Sequence, residues 1–151
     1  MAARLTLRAD FRLVDVLSRW VLERASAAKE ITATSSAGSR LTATFDPSIR
    51  WLKTSGLISP DKWGNLPGGE VFTSPGAVNG TLVIDGVVGD YLCEKFGSLF
   101  ATPLTLRVKD NRLVEAFSEN KELENDFWAY THTDENSDRV GEFAIGTNIE
   151  L

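Results

Sequence analysis

The feature that most constrains the fold is a run of alternation near the middle of the chain. Leu104, Leu106 and Val108 alternate with Thr105 and Arg107, Asp110-Asn111 follows, and Leu113 to Phe117 returns. A period of two puts the apolar side chains on one face of a strand, and an Asp-Asn pair accepts the left-handed backbone of a tight turn. This segment predicts a β-hairpin with one buried face. A second hairpin is read over Ile31–Ser35 and Arg40–Phe45, turning at Ala37-Gly38-Ser39, with Leu41 and Ala43 alternating against Arg40, Thr42 and Thr44. Thr81–Asp85 reads as a further strand, entered through the turn-favouring pair Asn79-Gly80.

Helical spacing appears elsewhere. Asp10 can cap a helix running to about Ala28, where Phe11, Val14, Leu17 and Val21 form a stripe that Leu13, Trp20 and Leu22 broaden. So wide a stripe suits a helix packed on a sheet, and it is also what a partner-binding helix shows. Asp90–Phe96 reads as either a short helix or an extended connection. Glu119–Ala129 reads as a helix with Leu123 and Phe127 inward, and Thr133 or Asp134 could start another to about Val140. Phe143-Ala144-Ile145 is a short strand closed by Gly146. The expected class is α+β, a mostly antiparallel sheet with hairpins and packed helices in one domain. Its parts are a helix at 10–28, a sheet-rich body at 30–118, and a helix with the closing strand at 119–148.

Composition excludes several functions. A chain of 151 residues with a net charge of −5 can bury a core, and it lacks the clustered Lys and Arg of a nucleic-acid surface. Arg4, Arg8 and Arg12 read as a solvated face. No apolar run reaches the roughly 20 residues that span a bilayer, and no signal-peptide core opens the chain. The expectation is a cytoplasmic protein with no nucleic-acid or membrane partner. Cys93 is the single cysteine, so neither a disulfide within the chain nor a thiolate cluster is available, and a buried structural thiol is expected. No P-loop, dinucleotide fingerprint or nucleophile elbow is present. Ser74 falls in a turn, and His132 reads as a surface or satisfied histidine.

Two carboxylates stand out. Glu70 follows Pro67-Gly68-Gly69 and opens a strand-like Val71-Phe72-Thr73. Glu142 follows Gly141 and opens Phe143-Ala144-Ile145. Glycine permits backbone angles and close approaches that other residues resist, so both acids sit where the chain is tightly constrained. Such acids could ligate a divalent cation. They could equally be solvated side chains beside turns. Ahead of the first of these motifs, Trp51 and Trp63 occupy an irregular stretch broken by Pro47, Gly56, Pro60 and Gly64. Trp51 reads as an anchor packed under a loop; Trp63 reads as an anchor or as the wall of a pocket.

The segments Asn65-Leu66-Pro67-Gly68-Gly69-Glu70-Val71-Phe72 and Gly141-Glu142-Phe143-Ala144-Ile145-Gly146-Thr147-Asn148 resemble the two glutamate motifs of the aminopeptidase T, or thermophilic metalloprotease, family. The resemblance covers roughly residues 30 to 151. It implies a metal-dependent exopeptidase with two divalent ions (Zn, Co or Mn) per complete site, a peptide substrate and a candidate homodimer. It implies Glu142 as bridging ligand and Glu70 as terminal ligand. That family completes its site with two histidines and an aspartate beyond the second motif. His132 precedes Glu142 and matches neither histidine.

The chain therefore reads as a central piece of such an enzyme, inactive alone. Thr147 and Asn148 are helix-capping residues, and Ile149-Glu150-Leu151 reads as the first turn of a helix, which is consistent with that view. Two alternatives stand beside it. One is a fragment of a ring-cleaving pyridine dioxygenase with a mononuclear iron, similar in fold. The other is a non-catalytic dimerisation or binding module.

Overall fold

The structure, a computed structural model, describes residues 9–61 and 63–149. Arg4 and Arg8, and the end of the helix expected after Asn148, lie outside the described residues. The fold is α+β with antiparallel pairing throughout, as the alternating segments predict. The chain divides into two compact units. The first takes in the chain up to Lys29, then Phe45–Ser74, then the segment from Glu142 on; the second takes in Glu30–Thr44 and Pro75–Gly141.

In the first unit, helix α1 (Phe11–Ala27) starts where Asp10 accepts hydrogen bonds from the N–H groups of Arg12 and Leu13. That satisfies two of the amides a helix start leaves open. The helix packs on β3 (Leu52–Thr54) and β4 (Glu70–Thr73), which pairs in turn with β8 (Phe143–Gly146). The buried face of α1 is narrower and more polar than the stripe predicted. It consists of Val14, Asp15, Ser18 and Ala25, whereas Leu13 and Trp20 are about half exposed at 50% and 53%. A three-stranded sheet covers only part of a helix's circumference, so the outer members of a wide apolar stripe stay in solvent. The Arg24 guanidinium lies 3.6 Å above the Trp20 ring and shields one face of it.

The second unit is built on a five-stranded sheet in the order β1-β2-β5-β6-β7. Its strands are β1 (Glu30–Thr34), β2 (Arg40–Thr44), β5 (Val78–Ile84), β6 (Leu104–Lys109) and β7 (Arg112–Phe117). Both predicted hairpins are present. Asp110 and Asn111 turn the second one with φ of +50° and +65°, the left-handed pair that a two-residue hairpin requires. Asn111 also accepts from the Val78 N–H at 2.6 Å, which ties the turn to the start of β5. Helices α2 (Asp90–Phe96) and α3 (Lys121–Tyr130) supply the rest of this unit's core. Leu92, Leu99, Leu104, Leu106, Leu113, Leu123 and Phe127 are buried together, and Leu82 and Ile84 pack against them. Full burial of each such side chain contributes about 1.5–3 kcal/mol.

Three local expectations are corrected. Asn79-Gly80 is no entry turn: β5 begins at Val78, and Gly80 sits inside the strand with φ of +129°, its α-carbon against the Arg40 carbonyl of β2. No helix forms over Thr133–Val140. Asp134 accepts from the Asn136 N–H at 2.8 Å and from the Ser137 hydroxyl at 3.1 Å, and these local bonds hold turns in place of a helix. Cys93 is half-buried in α2 rather than in the core. No helix of the described residues is long and apolar enough to cross a membrane.

Candidate functional site

The two glutamate motifs meet in the first unit, where β4 pairs with β8 and the glycines of the first motif pack on the threonine and asparagine of the second. The bond before Pro67 is cis, and Gly68 is buried. Gly69, at φ of +142°, lies so close to Asn148 that an added β-carbon would stand 2.6 Å from the Asn148 Cβ and 3.0 Å from Val14 Cγ1. The Gly69 carbonyl accepts from the Thr147 N–H at 2.8 Å, and the Gly68 carbonyl accepts from the Asn148 side-chain amide at 3.3 Å. On the helix side, the Ser18 hydroxyl donates to the Val14 carbonyl at 2.7 Å. A serine has one hydroxyl proton, so in its 2.7 Å contact with Thr147 the threonine is the donor. Thr147 and Asn148 thus direct their described bonds backwards, into the Gly68-Gly69 turn and α1.

This clasp orders the backbone that leads into Glu70. Antiparallel register sets Glu70 opposite Gly146 and Thr73 opposite Phe143. Glu142 precedes β8, four positions from Glu70's partner, so the two α-carbons stand roughly 13 Å apart along the ladder. Glu70 is half-buried and Glu142 is exposed, and among the described residues no hydrogen bond or ion pair engages either carboxylate. One ion shared by two carboxylates needs oxygens from both within about 2–2.5 Å of it.

The second unit holds His132, whose ring stacks on Trp128 with centroids 3.9 Å apart and whose Nδ1 lies 2.9 Å from the Trp128 carbonyl. That is the satisfied surface histidine expected of it. Among the described residues, no three of His, Cys, Asp and Glu lie close enough to hold a metal ion.

The strongest electrostatic feature was not singled out in the sequence. Asp15 is buried in α1, with 4% of its surface exposed. Its carboxylate accepts from Lys53 Nζ at 2.5 Å, the Ser55 hydroxyl at 2.6 Å and Arg19 Nε at 2.7 Å. The Lys53 and Ser55 hydrogen bonds, opposed by desolvation, hold the Asp15 carboxyl well below the usual carboxylate range. The available signal was a polar pair, Asp15 and Ser18, at helical i, i+3 spacing beside the apolar stripe. This cluster joins α1 to β3, and every acceptor oxygen in it is engaged, so it serves structure.

Trp51 is packed, as expected. Its ring lies 4.8 Å from that of Phe45 and 6.3 Å from that of Phe143. It also lines a groove, described below. Trp63 is 86% exposed and anchors nothing.

The chain belongs to the family described as NicX, 2,5-dihydroxypyridine 5,6-dioxygenase, whose sequence profile matches residues 18–132. Among solved structures it is similar to the 2,5-dihydroxypyridine dioxygenase of Pseudomonas putida KT2440, with a TM-score of 0.74 and 18% identity, over 96% of this chain and 41% of that one. It is also similar to wild-type AmpT of Thermus thermophilus, with a TM-score of 0.62 and 18% identity, over 93% of this chain and 35% of that one. The chain thus spans about two-fifths or less of either relative. A comparison with curated proteins gave no match.

Proposed function

We propose that this chain is the scaffold portion of a metal-dependent enzyme of the NicX family, and that by itself it carries neither ring-cleaving nor peptidase activity. The family match over residues 18–132 carries this reading. In such an enzyme the units described here would position a metal centre whose ligands come largely from other parts of the polypeptide. Glu70 and Glu142 would each contribute at most one separate carboxylate. The reaction proposed for the parent is oxygen-dependent cleavage of a hydroxylated pyridine.

The aminopeptidase reading is the alternative, favoured by the two glutamate motifs and by the likeness to AmpT.

Two measurements test the proposal. Calorimetric titration of this chain with Fe(II), Zn, Co or Mn is expected to give dissociation constants weaker than about 10 μM, because an incomplete donor set loses most of the binding free energy. A sub-micromolar constant would overturn it. Metal analysis of a polypeptide carrying this segment within a complete enzyme separates the two chemistries. One iron per chain with oxygen uptake on a dihydroxypyridine supports ring cleavage; a pair of Zn, Co or Mn ions with release of N-terminal residues supports the peptidase. Neither metal nor activity would leave a binding module and refute both.

A further inference from the structure

We propose that the groove at the C-terminal end of α1 binds a small aromatic carboxylate. The groove encloses about 510 Å³ and is lined by Lys29, Phe45, Asp46, Ile49, Arg50 and Trp51 among others. That volume lies within the roughly 300–1,000 Å³ typical of small-ligand sites. One wall is aromatic: Phe45 sits against Trp51, and the Phe143 ring meets Phe45 edge-on with centroids 5.4 Å apart. Contacts on several sides fix these rings, so a ligand ring meets a prepared surface with little side-chain freedom left to lose.

The charge at the rim selects the other half of the ligand. Lys29 and Arg50 are both exposed there, and among the described residues no carboxylate pairs with either. The single acid of the groove, Asp46, is already engaged, accepting from the Ser48 N–H at 2.8 Å. The end of α1 adds about half a negative charge, which opposes an anion. Two full positive charges against one acid and half a dipole charge leave the groove net positive. Arginine's planar fork also matches a carboxylate in two hydrogen bonds. An organic cation would meet Lys29 and Arg50 as like charges, and a purely apolar ligand would leave both unused.

The test is an NMR titration of the chain with phenylacetate, using benzyl alcohol (ring without charge) and acetate (charge without ring) as controls. The reporter is the Trp51 indole N–H signal, assigned by Trp51→Phe. Phenylacetate is expected to shift that signal saturably with a dissociation constant of about 1 mM or tighter. Each control should bind at least about tenfold more weakly, since each lacks one of the two contributions. Arg50→Gln and Lys29→Gln each remove an exposed side chain with no described partner and leave the fold intact. Each should weaken phenylacetate about threefold to fivefold, as should raising the salt concentration. Three outcomes overturn the proposal: no saturation, an unchanged affinity in both Arg50→Gln and Lys29→Gln, or benzyl alcohol binding as tightly as phenylacetate. The last would mark the groove as an apolar seat for a protein side chain.

Discussion

Replacing Asp15 by alanine is expected to destabilise the protein by about 3–5 kcal/mol, because it strands a largely buried lysine without its counter-charge. The Lys53 side chain is 17% exposed and the Asp15 side chain 6%, so water replaces little of the lost interaction. The measurement is a urea unfolding curve, and a loss under about 1 kcal/mol would show the cluster to be solvated and unimportant. The pair Asp15→Leu with Lys53→Met should recover most of the loss, since removing both charges also removes their desolvation cost.

The same group sets a pH dependence. Its folded pKa lies below the unfolded value, so the unfolded chain binds its proton first as pH falls. The stabilisation is therefore complete well above the unfolded pKa of about 3.9, and it is lost progressively below that value as pH drops towards the folded pKa. Comparing unfolding midpoints at neutral and strongly acidic pH should show a part of the acid-side loss in the native chain that disappears in Asp15→Ala.

Gly69→Ala is the second large effect, expected at about 3 kcal/mol or more. A β-carbon there meets the Asn148 Cβ at 2.6 Å and the Asn148 backbone nitrogen at 2.9 Å, in a backbone conformation at φ of +142° that alanine avoids. Relief would require the turn to move away from Thr147 and Asn148, which breaks the clasp described above. Gly141→Ala is the control. Its added carbon meets nothing within 4 Å, and a change within about 0.5 kcal/mol is expected. Equal midpoints for the two variants would mean that the Gly69 turn is free to shift, and the clasp would have no energetic content.

Much of the architecture was legible because it is written in local periodicity. The hairpin at Asp110-Asn111, the Asp10 cap and the strand closed by Gly146 each rest on residues adjacent in sequence, whose backbone preferences act before any tertiary contact forms. Errors arose where a distant partner decided. Gly80 looked like a turn residue until the Arg40 carbonyl gave it a reason to lie within a strand. The Thr133–Val140 helix failed because the Asp134 side chain bonds the Asn136 N–H and the Ser137 hydroxyl bonds the Asp134 carbonyl, a competition that helical spacing does not register.

The candidate site divides along the same line. From sequence alone came the α+β class, the alternating core faces, and the recognition that the glycine turn before Glu70 is tightly constrained; the one before Glu142 is open, with nothing near Gly141. Only the tertiary structure decided what the Glu70 turn constrains: Gly68 and Gly69 make room for Thr147 and Asn148. It alone also paired Asp15 with Lys53 and set Trp51, Lys29 and Arg50 around one groove. Short-range backbone preference acts between neighbours and can be read from them; the meeting of charges or rings dozens of residues apart depends on strand register and helix docking, which no local pattern encodes.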